Sequence, residues 1–371
     1  MAANRTLMVM AGGTGGHVYP ALAVADVLIA RGWDVFWLGT KNGLEARVVP
    51  QQNIRMVWVS MSGVRGNGVL RWVLMPFALL RAFAQSLAAI VRERPDAVLG
   101  MGGYTAFPGG MMASLLGRPL AIHEQNSVAG LTNRLLACLA DRVLVAFPQA
   151  FGGPRDKPIP CRKVSGEWVG NPVRAEIAQL ANESARYDGR SGPLRLLVVG
   201  GSLGAAALND IVPRALALVP AAQRPHVVHQ SGRQHLETLR ANYAAAGVVA
   251  EVRDYIEDMA QAYRDCDFAI CRAGAMTIAE LACAGVPAVL VPYPHAVDDH
   301  QTGNARFLAD AGAAWLMPQQ ALTAEKLAAL IARIDRDLLA PMSAKARAQA
   351  KPDAAARVAD ICASLASEGV S

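Results

Sequence analysis

The sequence contains no run of about 18–20 uninterrupted apolar residues, the length that a membrane-spanning helix needs. The nearest stretch, Val69 to Val91, is interrupted by Arg71, Pro76 and Arg81. The first residues carry a single arginine and no small-residue cleavage pattern, so no secretory signal is expected. Cysteine is sparse: the six residues at 138, 161, 266, 271, 283 and 362 form no C-x-x-C pair and no Cys/His zinc spacing. That argues against a dithiol or zinc-ribbon centre and predicts reduced thiols, most of them buried. Acidic residues are missing from 46 to 92, where Arg47, Arg55, Arg65, Arg71, Arg81 and Arg92 all fall. Basic clusters interleaved with aromatics are also missing, so nucleic acid is not an expected partner.

What is present is enough chain for two domains. The 371 residues are 53% hydrophobic, and each half is long enough to bury its own core. Charge is divided unevenly: residues 1–172 carry 17 Lys and Arg against 9 Asp and Glu, and the remainder carries 19 against 21. Together with the acid-free arginines, this points to an anionic and partly apolar partner for the first half, such as a membrane surface with acidic lipids.

Short β-rich apolar runs alternate with Ala/Leu-rich helical runs throughout. Strands are predicted near 5–11, 33–38, 55–59, 97–100, 119–122 and 142–146, with helices such as 18–31, 71–93 and 128–140 between them. The second half repeats the pattern with strands near 194–200, 225–230, 249–253, 267–271 and 287–291. This alternation predicts an α/β protein of two doubly wound, Rossmann-like domains with parallel sheets covered on both faces. A weak internal repeat supports it: Arg5 to Gly16 and Arg195 to Gly204 each read as strand, Gly-Gly-Thr/Ser turn and helix. Residues 151–163 read as a surface excursion and Gly170-Asn-Pro-Val173 as the linker. Ligands of such sheets bind at the carboxyl ends of the strands, which places the expected site in a cleft where the two domains face each other.

The opening loop, Met10-Ala-Gly-Gly-Thr-Gly-Gly-His-Val-Tyr-Pro20, is phosphate-binding in style but matches neither common fingerprint. G-x-G-x-x-G from Gly13 meets Val18, and the P-loop pattern lacks its lysine. What remains is the physics that both motifs share, glycine backbone beside a helix N-terminus. Pro20 suggests a helix starting near residue 18. Met101-Gly-Gly-Tyr104 and Gly200-Gly-Ser-Leu-Gly204 also follow predicted strands. In Cys271-Arg-Ala-Gly-Ala-Met-Thr-Ile-Ala-Glu280 a strand ends, Gly274 turns the chain, and Glu280 sits one turn into a helix, suited to a ribose diol. Asp298, His300 and Gln301 are candidates for sugar hydroxyls. Asp265-Cys-Asp267 has the D-x-D spacing of metal-dependent sugar-nucleotide enzymes but lies at the amino end of its strand, so it reads as structural. His17 and Glu124 are the candidate general bases of the first half.

Taken in order, GGTGGH (12–17), MGGY (101–104), HEQN (123–126), GNPVR (170–174), GGS-x-GA (200–205), CRAGAMTIAE (271–280) and DDHQ (298–301) closely resemble the MurG family of bacterial glycosyltransferases. The resemblance covers almost the whole chain. It implies a GT-B fold, with residues 1–170 as an acceptor and membrane-associating domain and 171–351 as a UDP-GlcNAc-binding domain. It also implies a C-terminal helix, about 352–371, packing back on the first domain. The implied reaction is inverting, metal-independent transfer of GlcNAc from UDP-GlcNAc to the C4 hydroxyl of MurNAc in undecaprenyl-linked lipid I, giving lipid II for peptidoglycan. The implied location is peripheral, on the cytoplasmic face of the inner membrane, with other cell-wall or division proteins as further partners and no cofactor.

Carried over by residue, the resemblance implies donor contacts at Thr14, Gly15, Gly16, Asn126, Arg174 and Ser202. It sets uracil against Ile256, the diphosphate along Ala275, Met276, Thr277, Ile278 and Ala279, ribose on Glu280 and the sugar on Gln301. Leu203 departs from the glutamine that well-known members carry there. In the resulting mechanism His17 takes the acceptor proton, with Glu124 as substitute base or orienter. The glycine loops of the first domain would meet the acceptor diphosphate. The alternatives are another GT-B-type sugar-nucleotide enzyme, such as a UDP-GlcNAc 2-epimerase, and a non-catalytic nucleotide-binding membrane scaffold.

Overall fold

A computed structural model describes residues 4–61, 69–152, 164–183, 186–201 and 204–368. The chain divides into two compact units, Met1–Arg174 with Asp353–Ser371, and Ala175–Pro352. The division falls just beyond the expected linker because that linker is tied to the first unit. Asn171 Nδ2 donates to the Gln125 carbonyl at 3.0 Å, and Val173 is buried.

The first unit holds a seven-stranded sheet of β1 (Thr6–Met10), β2 (Asp34–Gly39), β3 (Arg55–Trp58), β4 (Ala97–Gly100), β5 (Leu120–Glu124), β6 (Arg142–Val145) and β7 (Glu167–Trp168). Its order is β3-β2-β1-β4-β5-β6-β7 and every pairing is parallel. Central strands are apolar without alternation, as a sheet covered on both faces requires: Leu7, Met8, Val9 and Met10 are all fully buried. They feed different cores, since Leu7 and Val9 join the cluster under the helix Gly15–Ala30, and Met8 and Met10 join the one on the opposite face. The helix Ala354–Glu368 returns to the first of these clusters and contributes Val358, Ala359, Cys362, Leu365 and Ala366.

The second unit repeats the winding with six parallel strands, β8 (Arg195–Val199), β9 (His226–Gln230), β10 (Glu251–Arg253), β11 (Phe268–Cys271), β12 (Ala288–Leu290) and β13 (Ala314–Leu316). Their order is β10-β9-β8-β11-β12-β13. Both sheets reverse direction beside their first strand, between β1 and β4 and between β8 and β11. In open parallel sheets such a switch point opens a crevice at the carboxyl ends of the strands.

Several details differ from the sequence expectation. The strands β7 and β13 were not anticipated; the first is only two residues long, and the second lies in an alanine-rich stretch that favours helix locally. The first helix begins at Gly15 rather than near 18. Thr14 is extended, and its carbonyl accepts from Val18 N at 3.2 Å, while Pro20 sits inside the helix and only removes the bond that would reach Gly16. The helix expected over 128–140 contracts to Leu131–Leu136.

Among the cysteines, 266, 271, 283 and 362 are free and buried. Burial pushes the Cys266 thiol up to about 11 and those of Cys271 and Cys362 up to about 12. Cys138 is disulfide-bonded, contrary to the expectation of reduced thiols; it is exposed at a helix end, where a thiol can be reached. Arg65, Cys161 and most of the 151–163 excursion lie outside the described residues.

The basic stretch forms the helix Val69–Glu93, and its Met75–Glu93 segment is long and apolar enough to cross a membrane by length and composition. The requirement for an uninterrupted apolar run missed this, because Arg81 alone does not spoil the average. Packing, however, lays the helix on the unit. Ala82, Ser86, Ala89 and Ile90 are buried at helical spacing, and Phe83 meets Phe107 of the helix Ala106–Leu115 edge to face. The opposite face exposes Phe77, Leu80, Leu87 and Val91.

Candidate active site

The loop after β1 is braced from two sides. Trp37 Nε1 donates to the Ala11 carbonyl at 2.8 Å. Glu45, fully buried, accepts from Gly13 N at 3.2 Å and from Thr40 N and Oγ1 at 3.1 and 2.8 Å. The Gly13 amide is therefore taken by the protein. The donors left at the helix start are the N–H groups of Gly15 and Gly16, which meet no backbone acceptor among the described residues. Thr14 caps this helix without a side-chain bond and is exposed. A helix N-terminus with unmatched amides attracts anions through both its donors and its dipole.

The loop after β4 packs directly on it. Gly103 has φ +82°, and a Cβ there would come within 2.3 Å of the Gly12 carbonyl oxygen. A Cβ on Gly102 would lie 3.2 Å from the His17 ring. Two glycines in succession are what let His17 settle between the carboxyl ends of β1 and β4.

The segment after β5 completes this side. His17 Nδ1 lies 2.8 Å from Gln125 Oε1, and Gln125 and His123 are buried. Glu124, 2% exposed, accepts from Asn126 N at 2.9 Å, Gly130 N at 3.0 Å and Asn133 Nδ2 at 2.9 Å, with a longer bond from Asn126 Nδ2. Both carboxylate oxygens are engaged by the fold and shielded from solvent. Glu124 is thus built to orient the loop that carries Asn126, whereas His17 keeps a half-exposed ring. Arg174 is exposed at the end of the first unit.

In the second unit, the helix Ala275–Ala284 starts at the carboxyl end of β11 with Gly274 as an extended N-cap that offers no side-chain bond. Ile278 is fully buried and Ala275 nearly so; their side chains serve the core. The Ala275, Met276 and Thr277 amides form the first turn of this helix, at the end where its dipole is positive. One turn on, Tyr263 OH donates to Glu280 Oε2 at 3.0 Å and holds the carboxylate in place. Burial, with Glu280 alongside, pushes the Tyr263 phenol well above its ordinary range, so it remains a donor.

Ile256, buried, donates its amide to Gln230 Oε1 at 2.9 Å, and Gln230 Nε2 donates to the Gly201 carbonyl at 3.1 Å. Gln230 thus ties the glycine loop after β8 to the segment after β10. Gln301 Oε1 accepts from Tyr293 N at 2.9 Å, which leaves its NH2 to donate elsewhere. Just before it, Asp298 and Asp299 both have left-handed backbone (φ 51° and 53°). Consecutive non-glycine residues there are strained, and strain of this kind concentrates at functional sites. Ser202 and Leu203 lie outside the described residues.

Asp267 is fully buried at the start of β11 and accepts from Arg190 Nη1 at 2.6 Å, Arg336 Nη2 at 2.9 Å and Arg195 N at 2.9 Å. It is a structural carboxylate, as its place at the amino end of the strand suggested.

Three residues were not picked out as site residues from sequence. Gln125 sat inside a quoted motif beside two more conspicuous neighbours. Gln230 ends the apolar strand β9, and a polar residue closing such a strand is the signal that would have found it. Glu45 carried no signal beyond its position two residues after a glycine.

Comparison with known proteins follows the same division. Residues 7–145 match the glycosyltransferase family 28 N-terminal domain and residues 195–358 the family's C-terminal domain. A UDP-N-acetylglucosamine–N-acetylmuramyl-(pentapeptide) pyrophosphoryl-undecaprenol N-acetylglucosamine transferase of Thiobacillus denitrificans is 75% identical over 98% of this chain and 99% of its own length. The chain belongs to glycosyltransferase family 28. A family 28 relative of the same description from Cupriavidus necator is 58% identical over 99% of both chains. The crystal structure of Acinetobacter baumannii MurG is 44% identical, covers 97% of this chain and 99% of its own, and superposes with a TM-score of 0.82. The resemblance read from the ordered motifs holds, and so does the expectation of a GT-B fold.

Proposed function

We propose that this family 28 chain transfers GlcNAc from UDP-GlcNAc to the C4 hydroxyl of MurNAc in undecaprenyl-pyrophosphoryl-MurNAc-pentapeptide, converting lipid I to lipid II with inversion at the anomeric carbon. The observation that carries this reading is 75% identity, along nearly its whole length, to a transferase of that description. In this mechanism His17 accepts the C4 hydroxyl proton as the oxygen attacks the anomeric carbon. The departing UDP is received by the amide end of the helix Ala275–Ala284, with the ribose diol on Glu280, uracil at Ile256 and the sugar on Gln301. Thr14, Gly15, Gly16, Asn126, Arg174 and Ser202 make further donor contacts. Glu124 orients the Asn126 loop.

The first unit presents the lipid acceptor. The exposed apolar stripe of the helix Val69–Glu93, flanked by Arg81 and Arg92, supports peripheral seating on an anionic membrane face, the cytoplasmic one, where this acceptor is embedded. Release of UDP, with label from UDP-GlcNAc moving into the lipid only when the MurNAc-lipid acceptor is supplied, is the expected result. Conversion of UDP-GlcNAc to its C2 epimer without acceptor would overturn the reading in favour of the epimerase. Absence of any turnover with acceptor present would favour the scaffold.

A further inference from the structure

Beneath His17 runs a buried hydrogen-bond chain whose direction is fixed at two points by groups that can only accept. The Gly170 carbonyl oxygen lies 2.8 Å from His123 Nε2, so that nitrogen carries the hydrogen. His123 is fully buried, and desolvation pushes its pKa down to about 4, so near neutral pH its Nδ1 bears a lone pair. Gln125 Nε2 lies 3.0 Å from that Nδ1 and 3.1 Å from the His123 carbonyl oxygen. Both are acceptors, so the amide orientation is settled and Gln125 Oε1 faces His17. An amide oxygen only accepts. The 2.8 Å contact therefore places the imidazole hydrogen of His17 on Nδ1 and the lone pair of the neutral ring on Nε2.

The chain is held from behind as well. Asn171 Nδ2 donates to the Gln125 carbonyl and Asn133 Nδ2 to the His123 carbonyl, each at 3.0 Å. Gln125 is 1% exposed, so water does not compete for Oε1.

We propose that Gln125, oriented by His123 and the Gly170 carbonyl, is a positioning residue that locks His17 in the Nδ1–H tautomer and so keeps Nε2 available as the proton acceptor. This rests on the reading of His17 as base. In water the Nε2–H tautomer of imidazole is the commoner one; without Gln125, the nitrogen needed for proton abstraction would carry the hydrogen most of the time. A neutral amide sets the tautomer without adding charge beside a site that receives phosphates.

The test is nitrogen-15 NMR of histidine-labelled full-length protein, which distinguishes the two tautomers directly, combined with steady-state kinetics of Gln125→Met. Wild-type His17 is expected as Nδ1–H. In Gln125→Met it shifts toward Nε2–H, and kcat falls on the order of 10²-fold, with the KM for UDP-GlcNAc changed far less. An Nε2–H tautomer in the wild type would overturn the proposal, and this measurement decides it even where Gln125→Met fails to fold. A folded Gln125→Met with full kcat would overturn it too. Full turnover in His17→Ala would instead overturn the base reading beneath it, and is told apart because the wild-type spectrum would still show Nδ1–H.

Discussion

On sequence His17 was the candidate base and Glu124 its substitute or orienter, and their surroundings separate them. One ring nitrogen of His17 is held by Gln125, and the half-exposed ring can still meet a substrate. Every strong acceptor direction of Glu124 is filled by Asn126, Gly130 and Asn133. The two substitutions should therefore fail in different ways. His17→Ala is expected to lose about 10²–10⁴-fold in kcat with its denaturation midpoint nearly unchanged. Glu124→Ala is expected to lose about 1–3 kcal/mol of stability, because the carboxylate that Asn126 N, Gly130 N and Asn133 Nδ2 donate to is removed. Paired kinetics and chemical denaturation check both, and a stable, inactive Glu124→Ala would return that residue to the role of base. What sequence could read at this scale was residue type at a strand end. It could not read which hydrogen-bond directions were already occupied, since Gly130 and Asn133 reach Glu124 only once the chain has turned into the helix Leu131–Leu136.

At the scale of elements, the helix Val69–Glu93 carries two faces with different fates. Ala82, Ser86, Ala89 and Ile90 face the unit, and the stripe of Phe77, Leu80, Leu87 and Val91 faces away, with Arg81 and Arg92 beside it. Exposed apolar side chains in such a row mark an interaction surface, and flanking arginines favour an anionic one. Replacing Phe77, Leu80, Leu87 and Val91 by serine is expected to abolish sedimentation with vesicles containing acidic lipid. Arg81→Glu with Arg92→Glu is expected to weaken it by about 1 kcal/mol per residue at low salt. Unaltered sedimentation of the serine variant would remove this face from the membrane contact. The helix itself was legible, because an acid-free, Ala/Leu-rich run of that length leaves little else. Short strands were the hard elements: β7 and β13 are defined by neighbours in the sheet, not by their own two or three residues.

For the whole molecule, the repeated winding of two parallel sheets was legible from alternation and from the two Gly-Gly-Thr/Ser turns, because a parallel strand buried on both faces can only be written in apolar residues. Each unit also encloses one neutral histidine. Burial pushes His123 down to about 4 in the first and His229 down to about 3 in the second. Unfolding returns both toward the ordinary histidine value of about 6.5. Between that value and the folded ones the unfolded chain binds more protons, so stability falls as pH is lowered. Each histidine contributes a slope of about 1.4 kcal/mol per pH unit across this window and none above about pH 7. Denaturation midpoints measured from pH 7.5 to 4.5 are expected to decline accordingly, and His229→Gln should flatten the decline in the second unit alone.

The helix Ala354–Glu368 has a further consequence for how this chain is made. Its side chains Val358, Cys362 and Leu365 close a core whose other wall is written by Leu7, Val9 and Val18, so the sheet of the first unit waits for a helix synthesised only after the whole of the second unit. The second unit, lying wholly between, can finish folding while the first still shows water an open apolar face. During translation the first half is therefore the part exposed to chaperones, to a nearby lipid surface and to aggregation.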